Sequence, residues 1–347
     1  MPDIPFAVVF ALEDGAQLAS LDGPAAARRL ARRVQVAERH GLTAVTFDDV
    51  PLATEDRWAG VDSVQRAAFA APLTHGIGLI PVTRPAYAEP FHVATQLASL
   101  DWASSGRAGW IPDARSTSRD ALAAGTDPLS PAQLRRERDD AIAVSQLLWD
   151  SWDDDAVIAD IATGRYLDAD RLHYVDFVGS RYTVKGPLIT PRPPQGRPLV
   201  VADAGVAGID IALVEADAGP TDGPAEIDED AVEVARAAGA QRVWVRLRIG
   251  AADRAGAIRL AATVRDIHPV VDGVHVSVES GDVDAALEEI GRTTLAALDE
   301  PGSGIRRAVP HAGRTLRDTL GLARPAGRFA RPDRDAQTGR QAQREIA

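Results

Sequence analysis

The chain reads as an α/β protein, a (β/α)8 barrel in one domain over residues 1–330, with a hairpin insertion at about 153–198 before the fifth strand. Three observations point there. Strand-like apolar runs alternate with amphipathic helical segments along the chain. No glycine fingerprint follows the first run, as a dinucleotide-binding open sheet would carry, so the rival doubly wound sheet is disfavoured. The length of 347 residues, 45% of them hydrophobic, suits one large barrel.

The elements follow in order. Ile4 to Leu12 is a buried strand, and Pro24 to His40 a helix with proline in its first turn and Gly41 as its stop. Ala44 to Asp49 is a strand ending in acids, followed by a helix over Val61 to Ala71. Ile77 to Val82 is the third strand and Glu89 to Ser104 the third helix. Ala108 to Asp113 is a short fourth strand. Ala132 to Trp152 is a long helix with Ser130 as N-cap. The period then changes. His173 to Val178 and Arg181 to Val184 alternate around Gly179-Ser180, which suits a hairpin with a two-residue turn. Five prolines between Pro187 and Pro198 make an extended connector. Leu199 to Ala204 and Ile211 to Ala216 are strands five and six, with little between them. Helices at Asp228 to Ala238, Asp253 to Asp266 and Asp282 to Leu298 alternate with strands at Gln241 to Ile249 and Val271 to Val278. Residues 331–347 are polar and Arg-rich, the composition of a disordered tail.

Composition excludes several classes. A net charge of -12 without a long basic run argues against nucleic acid. The absence of cysteine removes disulfides, thiolate catalysis and Cys-ligated metal, and the seven histidines lack metal-ligand spacing. No apolar run reaches the ~20 residues that span a bilayer, and no signal peptide is evident, so a cytoplasmic protein is expected. The acid run Asp153 to Asp155 reads as a solvated turn, and Trp149 and Trp152 as packing residues. No nucleophile-elbow triad is present, and the sequence singles out no catalytic residue.

Several segments together resemble the bacterial-luciferase-like flavin monooxygenases, in the branch of the nitrilotriacetate and dibenzothiophene-sulfone enzymes. They are Ala88 to His92, Leu100 to Trp110, Leu148 to Trp152, Gly186 to Leu188, Pro191 to Pro198 and the tail motif Thr315 to Leu322. The resemblance implies reduced FMN from a separate reductase, a small organic substrate, a homo-oligomer and chemistry at the C-terminal mouth of the barrel. It assigns the cofactor site to Asp49 after strand two, Thr83 and Arg84 after strand three, and the turn holding Gly205, Val206 and Gly208 after strand five, whose backbone would take the phosphate.

The chain also departs from the family pattern. Ile111 stands where the family carries an asparagine, and Arg135 falls near a tyrosine position. The phosphate turn has lost its serine and gained Asp203, and Gly250 runs almost directly into the helix at Asp253 where relatives insert a segment over the pocket. Two other readings follow. One is a catalytically silent barrel with weakened flavin binding that serves as a subunit or partner. The other is a deazaflavin (F420) oxidoreductase whose basic mouth would be supplied by Arg84, Arg115 and Arg135.

Overall fold

The computed structural model describes residues 4–12, 23–49, 53–54, 57–58, 61–217, 226–250, 253–278 and 282–329; the tail at 331–347 lies outside them. The eight barrel strands are β1 (Ala7–Ala11), β2 (Ala44–Phe47), β3 (Gly78–Thr83), β4 (Gly109–Pro112), β5 (Leu199–Asp203), β6 (Ile211–Asp217), β7 (Arg242–Ile249) and β8 (Gly273–Val278). Each pairs in parallel with the next, and β8 returns to β1, so the ring closes. Around it run α1 (Gly23–Arg39), α2 (Ser63–Ala70), α3 (Pro90–Ala103), α4 (Pro131–Trp149), α5 (Glu229–Ala237), α6 (Arg254–Ile267) and α7 (Val283–Glu289). The chain passes from β5 to β6 through a turn without a helix, as the sequence indicates.

Strand side chains alternate between the two faces, and closure converts that alternation into inside and outside. Val9, Ile80, Ile111, Val201, Leu213 and Trp244 form a cluster inside the ring. Their neighbours Val8, Leu79, Trp110, Val200, Val214 and Val245 belong to a second cluster packed against the helices. The inner layer needs small residues where large ones cross. A Cβ on Gly273 would lie 2.7 Å from the Trp244 ring and 2.8 Å from Ala7. Leu316, Leu320 and Leu322 complete the inner cluster from the tail.

Helix ends follow the side-chain chemistry of their caps. Ser130 caps α4 with Gln133 answering in a capping box, and Glu89 accepts from the first free N–H groups of α3. Helix α4 stops at Trp149, earlier than the sequence pattern suggests. Asp150 is recruited there as a buried acceptor for Arg197 Nε at 2.9 Å and Arg192 Nη2 at 3.2 Å.

The insertion lies between α4 and β5 and holds two short ribbons, Val157–Asp160 with Arg165–Leu167 and Phe177–Val178 with Thr183–Val184. The second differs from the expected two-residue hairpin. Val178 faces Thr183, so four residues form the loop. The Gly179 N–H donates to the Tyr182 carbonyl at 2.9 Å across this loop, and the carboxylate of Asp140 on α4 accepts from the Ser180 N–H at 2.7 Å. The acid run is likewise no free turn: Asp153 meets His173 at 3.0 Å, Asp154 meets Arg192 at 3.0 Å and Arg324 at 2.9 Å, and Asp155 pairs with Arg171. Trp149 and Trp152 are buried and donate to the carbonyls of Ala94 and Leu188.

The underside of the barrel is tied by buried polar groups. Gln195 donates to Asp101 at 2.6 Å and to the Ala108 carbonyl at 2.8 Å, and accepts from the Arg317 N–H at 3.1 Å. The Arg317 guanidinium forms two bonds of 2.8 Å with Asp210, whose carboxylate also takes the Val200 N–H. One tail residue thereby locks β5 to the start of β6. Removing one member of a buried pair strands the other's charge, at a cost of about 3–5 kcal/mol. Arg317→Ala is expected to lose about that much in urea unfolding, with Arg317→Ala/Asp210→Ala losing less than the sum of the single changes. A loss in Arg317→Ala below about 1 kcal/mol would contradict this role.

Candidate active site at the barrel mouth

The inward positions turn polar toward the C-terminal ends of the strands. They open a cavity of about 900 Å³ whose walls include Ala11, Thr46, Val82, Ile111, Glu215, Arg246 and His275. Register places a row of four groups across it. Glu215 on β6 faces Arg246 on β7, and Arg246 faces His275 on β8. Glu215 and Arg246 form an ion pair. His275 reaches past the small Ala11 side of β1, and its Nε2 lies 2.9 Å from Thr46 Oγ1 on β2. The row therefore runs carboxylate, guanidinium, imidazole, hydroxyl.

His275 is the unusual member. It is 8% exposed, yet its Nδ1 has no hydrogen-bond partner although it belongs to the cavity wall. Burial, and then the Arg246 cation beside it, push the imidazole down to about 3. The ring is a neutral hydrogen-bonding group at any physiological pH, not a cation.

A second tier surrounds the row. Arg248 and Ser277 stand one inward step beyond Arg246 and His275 and face each other in register. Across the mouth stand Asp48, Asp113, Arg115, Arg135, Arg138 and Asp203. Arg115 is paired with Asp113 at 2.6 Å, and Arg138 lies 3.5 Å from Asp203. Ile111, Arg135 and Asp203, three of the positions that depart from the family pattern, face this cavity.

The six residues assigned by resemblance flank the cavity and none of them forms its wall. Asp49 falls on the outward side next to Asp48, with its carboxylate 3.8 Å from Arg84. Arg84 also reaches Asp120 at 3.4 Å. Thr83 accepts from the Trp110 indole at 2.8 Å behind the wall, while its neighbour Val82 lines it. Gly205 and Gly208 take φ of +84° and +75° in the turn that leaves Asp203. Val206 buries its side chain in the outer core, and the Gly208 carbonyl accepts from Gln146 at 2.5 Å. Sequence reasoning passed over Thr46, Glu215, Arg246 and His275. The signal was available in the alternation itself: outward Val274 and Val276 fix His275 and Ser277 inward.

Among the described residues, no group of acidic, histidine or cysteine side chains could hold a metal ion, and no helix is long and apolar enough to cross a membrane.

Residues 6–333 match the family model described as luciferase-like monooxygenase. A relative over nearly its whole length is a subunit of pristinamycin IIA synthase from Streptomyces pristinaespiralis, 34% identical over 320 residues, or 90% of this chain and 96% of the relative. Component A of nitrilotriacetate monooxygenase from Aminobacter aminovorans is 36% identical over 141 residues, which cover 39% of this chain and 30% of that protein. Among solved structures, a long-chain alkane monooxygenase superposes with a TM-score of 0.70 at 15% identity, covering 96% of this chain and 98% of the other, a likeness of fold. The chain belongs to the luciferase-like monooxygenase family and is by that membership a flavin-dependent monooxygenase.

The depressed histidine has a thermodynamic signature. Between pH 6.5 and about 3 the unfolded chain takes up a proton that the folded ring refuses. Stability from this site is full above pH 6.5 and declines as the pH falls toward 3. His275→Gln lacks that loss. Relative to the parent it should gain about 2–3 kcal/mol in urea unfolding between pH 7 and pH 4.5. A constant difference between the two proteins over that range would contradict a neutral, buried ring.

Proposed function

We propose that the chain oxygenates a small organic molecule with reduced FMN supplied by a separate reductase, and that the barrel mouth is the active site. The observation that carries this reading is the polar row Glu215–Arg246–His275–Thr46 across the cavity, in which the buried Nδ1 of His275 has no hydrogen-bond partner. A row of polar side chains across the C-terminal mouth stands where barrel enzymes place their chemistry.

The cofactor fits the remaining features. Gly205 and Gly208 give the turn after β5 the left-handed geometry that aims backbone N–H groups at an anion, so the phosphate is assigned to the Gly205–Val206–Gly208 backbone. Arg84 and Asp49, linked to each other, and Thr83 support the rim beside Asp48 and Val82. When bound, reduced flavin supplies the electrons that activate dioxygen. The protein's part is to orient. Arg246, neutralised by Glu215, holds the charge balance of the row, and Thr46 fixes the plane of the His275 ring.

The connection over the mouth is short, since β7 ends at Ile249 and α6 begins at Arg254. Two relatives are themselves named as parts of larger enzymes, one as a synthase subunit and the other as a monooxygenase component, which supports a system of more than one polypeptide.

Titration of the purified protein with FMN, in parallel with riboflavin and the deazaflavin F420, tests the reading. FMN should bind with a dissociation constant in the micromolar range, about -8 kcal/mol. Failure of all three to bind at about 1 mM would leave the silent-barrel reading, and preference for the deazaflavin would replace FMN. A variant sharpens the test. Asp203 sets a carboxylate at the start of the phosphate turn and engages Arg138. Asp203→Asn removes about 1 kcal/mol of repulsion, so FMN should tighten about threefold to tenfold while riboflavin is unchanged.

A further inference from the structure

The mouth offers a second binding feature, away from the turn assigned to the phosphate. On β8, His275 keeps its Nδ1 unpartnered although the residue is more than nine-tenths buried. On β7, Arg248 lines the same cavity and, like Arg135 across the mouth, forms no ion pair among the described residues, whereas Arg246 is matched by Glu215, Arg115 by Asp113 and Arg138 by Asp203. Ser277 lies between them, in register with Arg248 and two residues beyond His275 on the inward face.

We infer that Arg248, Ser277 and His275 Nδ1 form a subsite for a carboxylate group of the substrate. This rests on the reading of the mouth as the active site and goes beyond it by naming the substrate class. The chemistry is specific. One guanidinium matches one carboxylate charge and offers paired N–H donors. The remaining lone pairs are met by the Ser277 hydroxyl and by Nδ1–H, the tautomer present when Thr46 donates to Nε2. Because the ring is neutral, the subsite holds a single positive charge and suits a monoanionic group. The glycine turn after β5 is two strands from Arg248 and three from Ser277 and His275 round the ring, so cofactor phosphate and substrate carboxylate occupy different sectors of the mouth.

The test uses the full-length protein labelled with 15N-histidine, with and without FMN, titrated with benzoate and with its neutral counterpart benzamide. The His275 resonance is assigned by its loss in His275→Gln. Benzoate should shift the His275 Nδ1 signal and bind with a dissociation constant near a millimolar, at least about tenfold more tightly than benzamide. Arg248→Met should weaken benzoate by roughly tenfold to a hundredfold, the worth of a charge-assisted hydrogen bond, and leave FMN affinity within about twofold. The inference is overturned if benzoate gives no shift up to about 50 mM, if it binds no better than benzamide, or if Arg248→Met leaves it unchanged. Weakened FMN with unchanged riboflavin in Arg248→Met would also overturn it, by giving this sector to the flavin phosphate. A chain that binds benzoate as expected but no flavin would keep the subsite and lose the cofactor reading, so the two failures are distinguishable.

Discussion

A closed ring of parallel strands gives each strand residue one of two destinations, and everything at this site follows from that constraint. Once β8 pairs with β1, the parity of a residue decides whether it faces the cavity or the helices. Glu215, Arg246, His275 and Thr46 share the inward parity of Leu213, Trp244 and Val9 below them. The same residues shifted by one would point into the apolar layer between sheet and helices, where an ion pair has no place.

Parity also explains which parts of the site were legible in the sequence. The βα rhythm, the proline connector and the helixless step from β5 to β6 are written in period, composition and breakers, and these survive errors of one residue at an element's edge. Site residues do not survive such errors. Asp48 and Asp49 are adjacent acids, and motif likeness alone selects the outward one, while Asp48 meets the cavity. Thr83 looks like a hydroxyl offered to a ligand, yet its partner is the indole of Trp110. His275 carries no motif. Its meaning comes from Arg246 and Thr46, which lie 29 and 229 residues away along the chain and become neighbours only through the ring. The hairpin loop shows the same limit, since Asp140, far from Gly179 in sequence, binds the Ser180 N–H.

The electrostatics of the mouth differ from those of the chain. The protein carries a net charge of -12, yet Arg115, Arg135, Arg138, Arg246 and Arg248 surround the cavity against Asp48, Asp113, Asp203 and Glu215. Fixed arginines in a cleft focus potential where a surface average would predict repulsion of anions. The pairs within this set matter more than the count. Glu215 pairs with Arg246 at the solvent side of the row, while burial and the Arg246 cation keep the histidine ring neutral.

The two ends of the barrel divide stability from chemistry. At the underside a buried network joins the elements: Gln195 meets Asp101, Ala108 and Arg317, and Arg317 meets Asp210 in a two-bond fork. At the mouth the Nδ1 of His275 is unmatched. A fully satisfied network rigidifies what it joins, and a half-satisfied one is a cost carried by the rest of the fold. The arrangement is sustainable because the locked end fixes the register of β5 and β6 against β4 and the tail, and register carries that order upward strand by strand. The mouth inherits a rigid frame and is free to hold a group whose partner arrives from solution.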